Sequence, residues 1–420
     1  MNEPVQIAVT GIGTVTPFGI GLSTFWENLI EGRSAVRAVE DEHLRQWAPV
    51  GARVPNFTPT DFLPQKLVRD TDMFTQFALV AAAEALRDAG IVNGDETTLT
   101  EGIDPNRVGT ALGSAFGGIQ SLEAGSGRLA TGSAKRVGPR LVSKSIPNSA
   151  AAAIAMRYGF RGPSVTYVTA CAASANAIGE SEYWFWRDDV DFVLAGGVDS
   201  LFSPVFLSGL RDAGALASNG PDDVTTWSRP FDAGRTGMIM GEGAALLVLE
   251  PLERAKARGA HIYAVLAGYG ASSDAYHDTA PHPEGAGAVL AMQRALRSAR
   301  LGPSDIDYVN AHATSTPAGD IAESKALRTI FGERLDTLPV SSIKGAIGHL
   351  LGAARAIESV ACIKAIETGI LPPTLHSENR DPVSPMDIIP NKSRKQRISK
   401  ALSNSFGFGG QNGVLIWREI

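Results

Sequence analysis

The 420-residue chain reads as an α/β protein, and three observations predict that class. Short apolar runs bounded by Gly or Pro alternate with longer segments of helical period, the pattern of strands covered by helices. Hydrophobic residues make up 44% of the chain and charged residues 20%, enough to bury a large core over two or three units. One local order also occurs twice. Residues 164–179 read as strand, reactive residue, then a helix opening with small residues, and residues 339–356 repeat it with His349 at the helix start. We therefore expect two related halves, 1–255 and 256–420, that share an interface.

Taken in order, the short apolar runs predict strands at 6–10, 164–170, 192–195, 244–249, 262–268, 308–311 and 413–417. Helical periodicity predicts helices at 74–90, 172–187, 285–300, 319–331 and 350–368. No low-complexity tract interrupts them.

Four motifs carry the chemistry. In VTACAASANAIG (168–179) a strand delivers Cys171 to the first turn of the next helix, where unpaired N–H groups and the helix dipole favour a thiolate. By itself a buried Cys is a small hydrophobe; the two His motifs make this one a nucleophile. In NAHATSTPAGDIAE (310–323) a strand ends at His312, beside Thr314, Ser315 and Thr316, whose hydroxyls suit either a polar arm or ordinary turns and caps. In SSIKGAIGHLLGAARA (341–356) Lys344 precedes His349, and an ion pair of Lys344 with Glu323 is expected to hold the His residues in place. In SNSFGFGGQN (403–412) a Gly-rich turn around Phe408 can turn backbone N–H groups toward a reacting carbonyl.

Other functions are excluded on physical grounds. A formal net charge of -6 supplies no basic face for nucleic acid or an anionic membrane. Cys171 and Cys362 are too few for a disulfide framework or thiolate cage, which fits a reducing cytoplasm. Neither a basic leader with an apolar stretch nor a run of about 18 apolar residues is present, so no membrane span is expected. Gly11 and Gly13 follow a strand, but Thr16 stands at the third position of the dinucleotide fingerprint. GxxxxGK[ST] is absent, and His277 and His282 lack paired ligand spacing, so neither a nucleotide nor a metal is expected.

The four motifs in this order resemble the β-ketoacyl-acyl carrier protein synthases, specifically the type II elongating enzymes. The likeness runs along nearly the whole chain, including TGIGTVTPFG at the start, SRPFDAGRTGMIMGEGAA at 228–245 and HDTAPHPEG at 277–285. It implies the thiolase fold, five layers in the order αβαβα, and a dimer. It implies no cofactor, the substrates riding on the phosphopantetheine of an acyl carrier protein. By position, the resemblance makes Cys171 the acyl acceptor, His312 and His349 the decarboxylating pair, and Lys344 with Glu323 their support. Thr314, Thr316 and Thr279 match phosphopantetheine contacts, and the Phe408 N–H joins that of Cys171 in an oxyanion hole.

Departures sharpen the expectation. HATSTP stands for the usual HGTSTP, and GAAR for GAAG, which brings Arg355 into a helix. Phe116 in GSAFGG stands where elongating enzymes commonly carry Ile, in a stretch that the resemblance takes across the dimer to the floor of the partner's acyl pocket, and predicts a preference for short or flat chains. The cluster Tyr183, Trp184, Phe185 and Trp186 is expected to be helix core, the alternative being an altered dimer or pocket surface. Both departures fit a polyketide ketosynthase partnered by a chain-length factor as well as a fatty acid homodimer. A non-catalytic partner subunit would lack Cys171, and a degradative thiolase would carry a Cys near Phe408. Lys66, Arg69, Lys135, Arg136 and Arg140 are candidates for docking an acidic carrier.

Overall fold

A computed structural model describes residues 5–93 and 97–420. Among the described residues twelve strands form one sheet. In chain order its main strands are β1 (Ile7–Thr16), β2 (Val108–Gly113), β3 (Ser164–Tyr167), β4 (Phe192–Asp199), β5 (Gly243–Pro251) and β6 (Ala264–Ser273). They continue with β7 (Tyr308–Asn310), β8 (Pro339–Ser341), β9 (Asp387–Ile388), β10 (Lys400–Gly407) and β11 (Gln411–Arg418). The helices that matter here are α1 (Gln65–Asp70), α2 (Met73–Asp88), α3 (Ile119–Ala130), α4 (Ser149–Tyr158) and α5 (Ala173–Glu180). After them come α6 (Glu182–Trp186), α7 (Pro204–Asp212), α8 (Ala286–Ala299), α9 (Pro317–Phe331) and α10 (Ala354–Thr368).

The sheet order is β9-β8-β7-β10-β11-β6-β1-β5-β4-β2-β3. Read outward from the centre, each side runs first strand, fifth, fourth, second, third, if β9 is set aside. The directions repeat as well. β2 is parallel to β3 and β4, and β5 is antiparallel to β4 and β1. β7 is parallel to β8 and β10, and β11 is antiparallel to β10 and β6. β1 and β6, antiparallel, join the two sides.

Helices fill three layers around these strands. α5 and α10 lie at the centre, where Ile178, Ile357 and Val360 share one core with Val193, Leu247 and Leu415 from both sides of the sheet. Phe77, Ala81 and Ala85 of α2 pack over β4 and β5, and Ala291, Ala295 and Leu327 of α8 and α9 cover β7, β10 and β11. Gly11 and Gly13 let α2 approach β1: a Cβ on Gly13 would stand 2.0 Å from the Ala81 carbonyl oxygen. Gly270 on β6 does the same for α8, with 2.2 Å to the Ala291 oxygen. The Gly pair near the start is therefore a packing device. Among the described residues no helix is long and apolar enough to cross a membrane.

Several expected elements differ in detail. The strand from 164 stops at Tyr167 because Ala170 takes a φ of 49° and turns the chain, so Cys171 sits in a single 3-10 turn, Ala170–Ala172, ahead of α5. The helix expected at 172–187 divides at Ser181, whose hydroxyl donates to the Ile178 carbonyl at 2.6 Å. His349 does not open a helix; its N–H donates to Ile239 at 2.7 Å, and a 3-10 turn, Leu351–Ala353, precedes α10. Strands β2 and β10 had no counterpart in the sequence reading. Of the aromatic cluster, Trp184 and Phe185 are buried while Tyr183 and Trp186 are exposed, so only half of it is core.

Candidate active site

The site gathers where the parallel strands end. Phe116 follows β2, Cys171 follows β3, His312 follows β7, His349 follows β8 and Phe408 follows β10. All line one cavity of about 310 Å3, together with Thr279, Thr314, Thr316 and Glu323. Five segments distant in sequence thus meet because each half places its strand ends at one crevice.

Cys171 Sγ lies 2.9 Å from His349 Nε2. The Leu351 N–H donates to His349 Nδ1 at 3.3 Å, so Nδ1 is the acceptor and the ring proton sits on Nε2, facing the sulfur. His349 is therefore a donor at this position. The His312 ring stands edge-on to it, with centroids 5.3 Å apart. The reactive atoms of all three residues lie within 4.8 Å of one another. Burial, then the nearby Lys344 charge, holds both imidazoles well below their ordinary value and neutral.

The thiol departs from expectation. Burial pushes Cys171 up to about 12, against the pull of Lys344 and of the Phe408 and Cys171 N–H groups that face the sulfur. Burial outweighs the helix-start N–H groups expected to favour a thiolate, so the site favours a protonated thiol at Cys171. The same two N–H groups form a cradle for an oxyanion.

Lys344 and Glu323 do not pair. The Lys344 ammonium pairs with Glu358 on α10, both buried. Glu323 instead accepts from the His312 N–H at 2.9 Å, the Ala313 N–H at 2.7 Å and Asn404 Nδ2 at 3.0 Å, fixing the backbone that carries His312. Glu323 and Lys344 act on each other only as nearby opposite charges without a salt bridge, so the expected pair is replaced by two separate supports. Ala313 keeps a negative φ; the left-handed residue of this loop is Ser315, at 71°.

The Thr314 and Thr316 hydroxyls lie 3.0 Å apart at the cavity wall. The loop bearing Thr279 is tied to the Phe408 turn by the Gly409 N–H, which donates to Asp278 at 2.7 Å. Phe116, expected at a partner's pocket, lines the Cys171 cavity of its own chain instead, edge-on to Phe206 of α7 with centroids 5.3 Å apart, and Leu210, Met238 and Leu351 complete the apolar end. Lys66, Arg69, Lys135, Arg136 and Arg140 lie outside the cavity, all exposed. Arg69 and Arg140 both reach Asp70, at 3.3 and 3.0 Å.

Sequence reasoning missed Glu358, Asn404, Phe206 and Asp199. Asp199 accepts from Ser114 Oγ at 2.7 Å, the Ala115 N–H at 2.8 Å and the Gly352 N–H at 2.7 Å, joining the Phe116 loop to the turn after His349. A carboxylate three residues after Arg355, in a stretch of α10 that is otherwise small and apolar up to Ile363, was the available signal for Glu358.

Comparison with known proteins agrees with this geometry. Residues 5–255 match the family described as Beta-ketoacyl synthase, N-terminal domain, and residues 263–378 match Beta-ketoacyl synthase, C-terminal domain. The 3-oxoacyl-[acyl-carrier-protein] synthase 2 of Staphylococcus aureus is 39% identical over 100% of both chains. Among solved structures, the ishigamide ketosynthase/chain length factor superposes with a TM-score of 0.89 at 31% identity, covering 100% of both chains. The ketosynthase structure described as a type II PKS acyl-carrier protein in complex with its ketosynthase bound to the hexaketide gives 0.88 at 32%, again over 100% of both chains. The chain belongs to the β-ketoacyl synthase family. It has the thiolase fold and is a condensing acyltransferase of chain elongation.

Proposed function

We propose that the enzyme joins an acyl group held on Cys171 to a malonyl unit carried by an acyl carrier protein, and that the Cys171, His312 and His349 triangle carries both steps. In the first, Sγ attacks the acyl thioester. The S–C bond to Cys171 forms, the carrier's S–C bond breaks, and the thiol proton leaves with the carrier thiol. The oxyanion takes hydrogen bonds from the Cys171 and Phe408 N–H groups. In the second step the malonyl C–C bond to its carboxylate breaks and CO2 departs. The enolate oxygen accepts from neutral His312 and His349. The carbanion attacks the acyl carbonyl, a new C–C bond forms, and Cys171 leaves as thiolate and recovers a proton.

The donor proton on His349 Nε2 supports this reading most directly. A hydrolase base would turn a bare nitrogen to the thiol; a ring that donates suits stabilising an enolate. Thr314, Thr316 and Thr279 lie where a phosphopantetheine arm would enter, and the exposed basic residues on α1 and after α3 suit an acidic carrier. The free edge of β3, with exposed Val165 and Val168 beside Met156 of α4, suits a partner subunit, an identical chain or a chain-length factor. Phe116 against Phe206 shortens the apolar end, favouring short or flat chains. Buried free thiols at Cys171 and Cys362 fit a reducing cytoplasm.

The decisive assay offers labelled malonyl carrier to the wild type and to Cys171→Ala and His312→Ala. The wild type should release labelled CO2 and form β-ketoacyl carrier. Cys171→Ala should lose condensation alone, His312→Ala both. CO2 release unchanged in His312→Ala would refute the assignment.

A further inference from the structure

Arg355 is wholly buried, at 0% exposure, and sits in the first turn of α10, where the helix dipole opposes a cation. Such a placement survives only if the charge is held. Its guanidinium lies 2.9 Å from Glu358 Oε2, the carboxylate whose other oxygen takes Lys344. It also reaches Ser403 Oγ on β10 and, at 3.5 Å, Asn310 Oδ1 on β7. The three elements it touches are those that lead to Phe408, His312 and away from His349.

We propose that Arg355 is a positioning residue for decarboxylation, a second buried cation that shares Glu358 with Lys344 and locks α10 to the strands presenting His312 and Phe408. This rests on the decarboxylating role given to the His pair. Two cations on one carboxylate leave an excess positive charge behind the imidazoles, and protonating either ring there is opposed.

The groups facing the pair come from every side. Lys344 lies on the short helix before His349, Arg355 and Glu358 on α10, Glu323 on α9 against the His312 backbone, and Cys171 on the 3-10 turn. Arg355 acts on both rings in the same direction as Lys344, downward. Removing it should raise their protonation midpoints and shift the acid limb of catalysis to higher pH.

The test compares Arg355→Met and Arg355→Lys with the wild type in pH profiles of CO2 release from malonyl carrier. The Met variant should move its acid limb upward by about half to one unit, and the Lys variant should keep the wild-type limb. If Met impairs folding, Arg355→Gln serves as the neutral variant. Imidazole titration of 13C-labelled histidine, read by NMR, tests the same shift without catalysis. A wild type that releases no CO2 would sink the functional reading while the titration still decides the role of Arg355. An acid limb and imidazole titration unmoved in the neutral variant would overturn it, because a purely structural Arg would change stability and leave both in place.

Discussion

The two halves of the molecule share one topology and put opposite chemistry at the same point of it. Cys171 follows the third strand of one half, inside a 3-10 turn, and His349 the third strand of the other, just before one, each ahead of a central helix. Behind Cys171, α5 opens with Ala173, Ser174 and Ala175 and has no charge before Glu180. Behind His349, α10 buries Arg355 and Glu358 in its first two turns and meets Lys344. In the proposed reaction a nucleophile and acyl chain need close approach and little charge, whereas an enolate needs a fixed positive field. The duplicated scaffold supplies position, and the helix sequences divide the electrostatic labour.

The asymmetry breaks most sharply at Glu358. Glu358→Gln would leave Lys344 and Arg355 buried with no carboxylate between them, and an orphaned buried charge costs about 3–5 kcal/mol. The matching change on the other side, Ser174→Ala, removes one hydrogen bond, the 3.0 Å acceptance from the Ala356 N–H, and should cost about 1 kcal/mol. Denaturant unfolding of the two variants measures the contrast; equal losses would show that the charge cluster is not the weak point.

The symmetry itself is tested by a paired substitution. Gly13→Ala and Gly270→Ala each drive a Cβ into the helix carbonyl above, 2.0 and 2.2 Å away in the present packing. Backbone cannot yield as a flexible side chain does, so each should cost about 1–3 kcal/mol, the range of overpacked cores. The two losses should match within about 0.5 kcal/mol. A large difference in unfolding midpoints would mean that the halves bear their outer helices differently.

How much of this was legible follows the same division. The apolar helices and most strands announced themselves by period, Cys171 and His312 stood at strand ends, and His349 and Phe408 stood in Gly-rich runs. β10 did not, because Ser403, Asn404 and Ser405 point inward to bond Arg355, Glu323 and the Cys171 carbonyl, so a buried strand reads as polar. β2 hid behind Gly109 and Gly113; at Gly113 a Cβ would stand 2.3 Å from the Ser174 nitrogen. The Lys344 partner was misassigned for a related reason. Glu323 stood in the same motif as His312, but its oxygens are taken by backbone N–H groups and Asn404, and the partner lies on α10. Strand order and the thiol's desolvation depend on long-range packing, which spacing does not encode.

The smallest expected effect concerns the apolar end of the cavity, where two elements of the first half meet through Phe116 and Phe206. Their edge contact is worth about 0.5–1.5 kcal/mol beyond the area it buries, and it closes the space beyond Cys171. Phe206→Ala would open that end without touching the Cys171 to His349 contact. Each additional methylene that a longer acyl chain buries there is worth about 0.8 kcal/mol. Acylation of Cys171 in a competition between hexanoyl and palmitoyl carriers should therefore favour hexanoyl in the wild type and shift toward palmitoyl in Phe206→Ala by roughly ten-fold, with CO2 release preserved. Phe116→Ala should shift it in the same direction, by less if a partner subunit's surface still covers that exposed ring. Equal acylation by both carriers in the wild type would remove chain length from the functions of this phenylalanine pair.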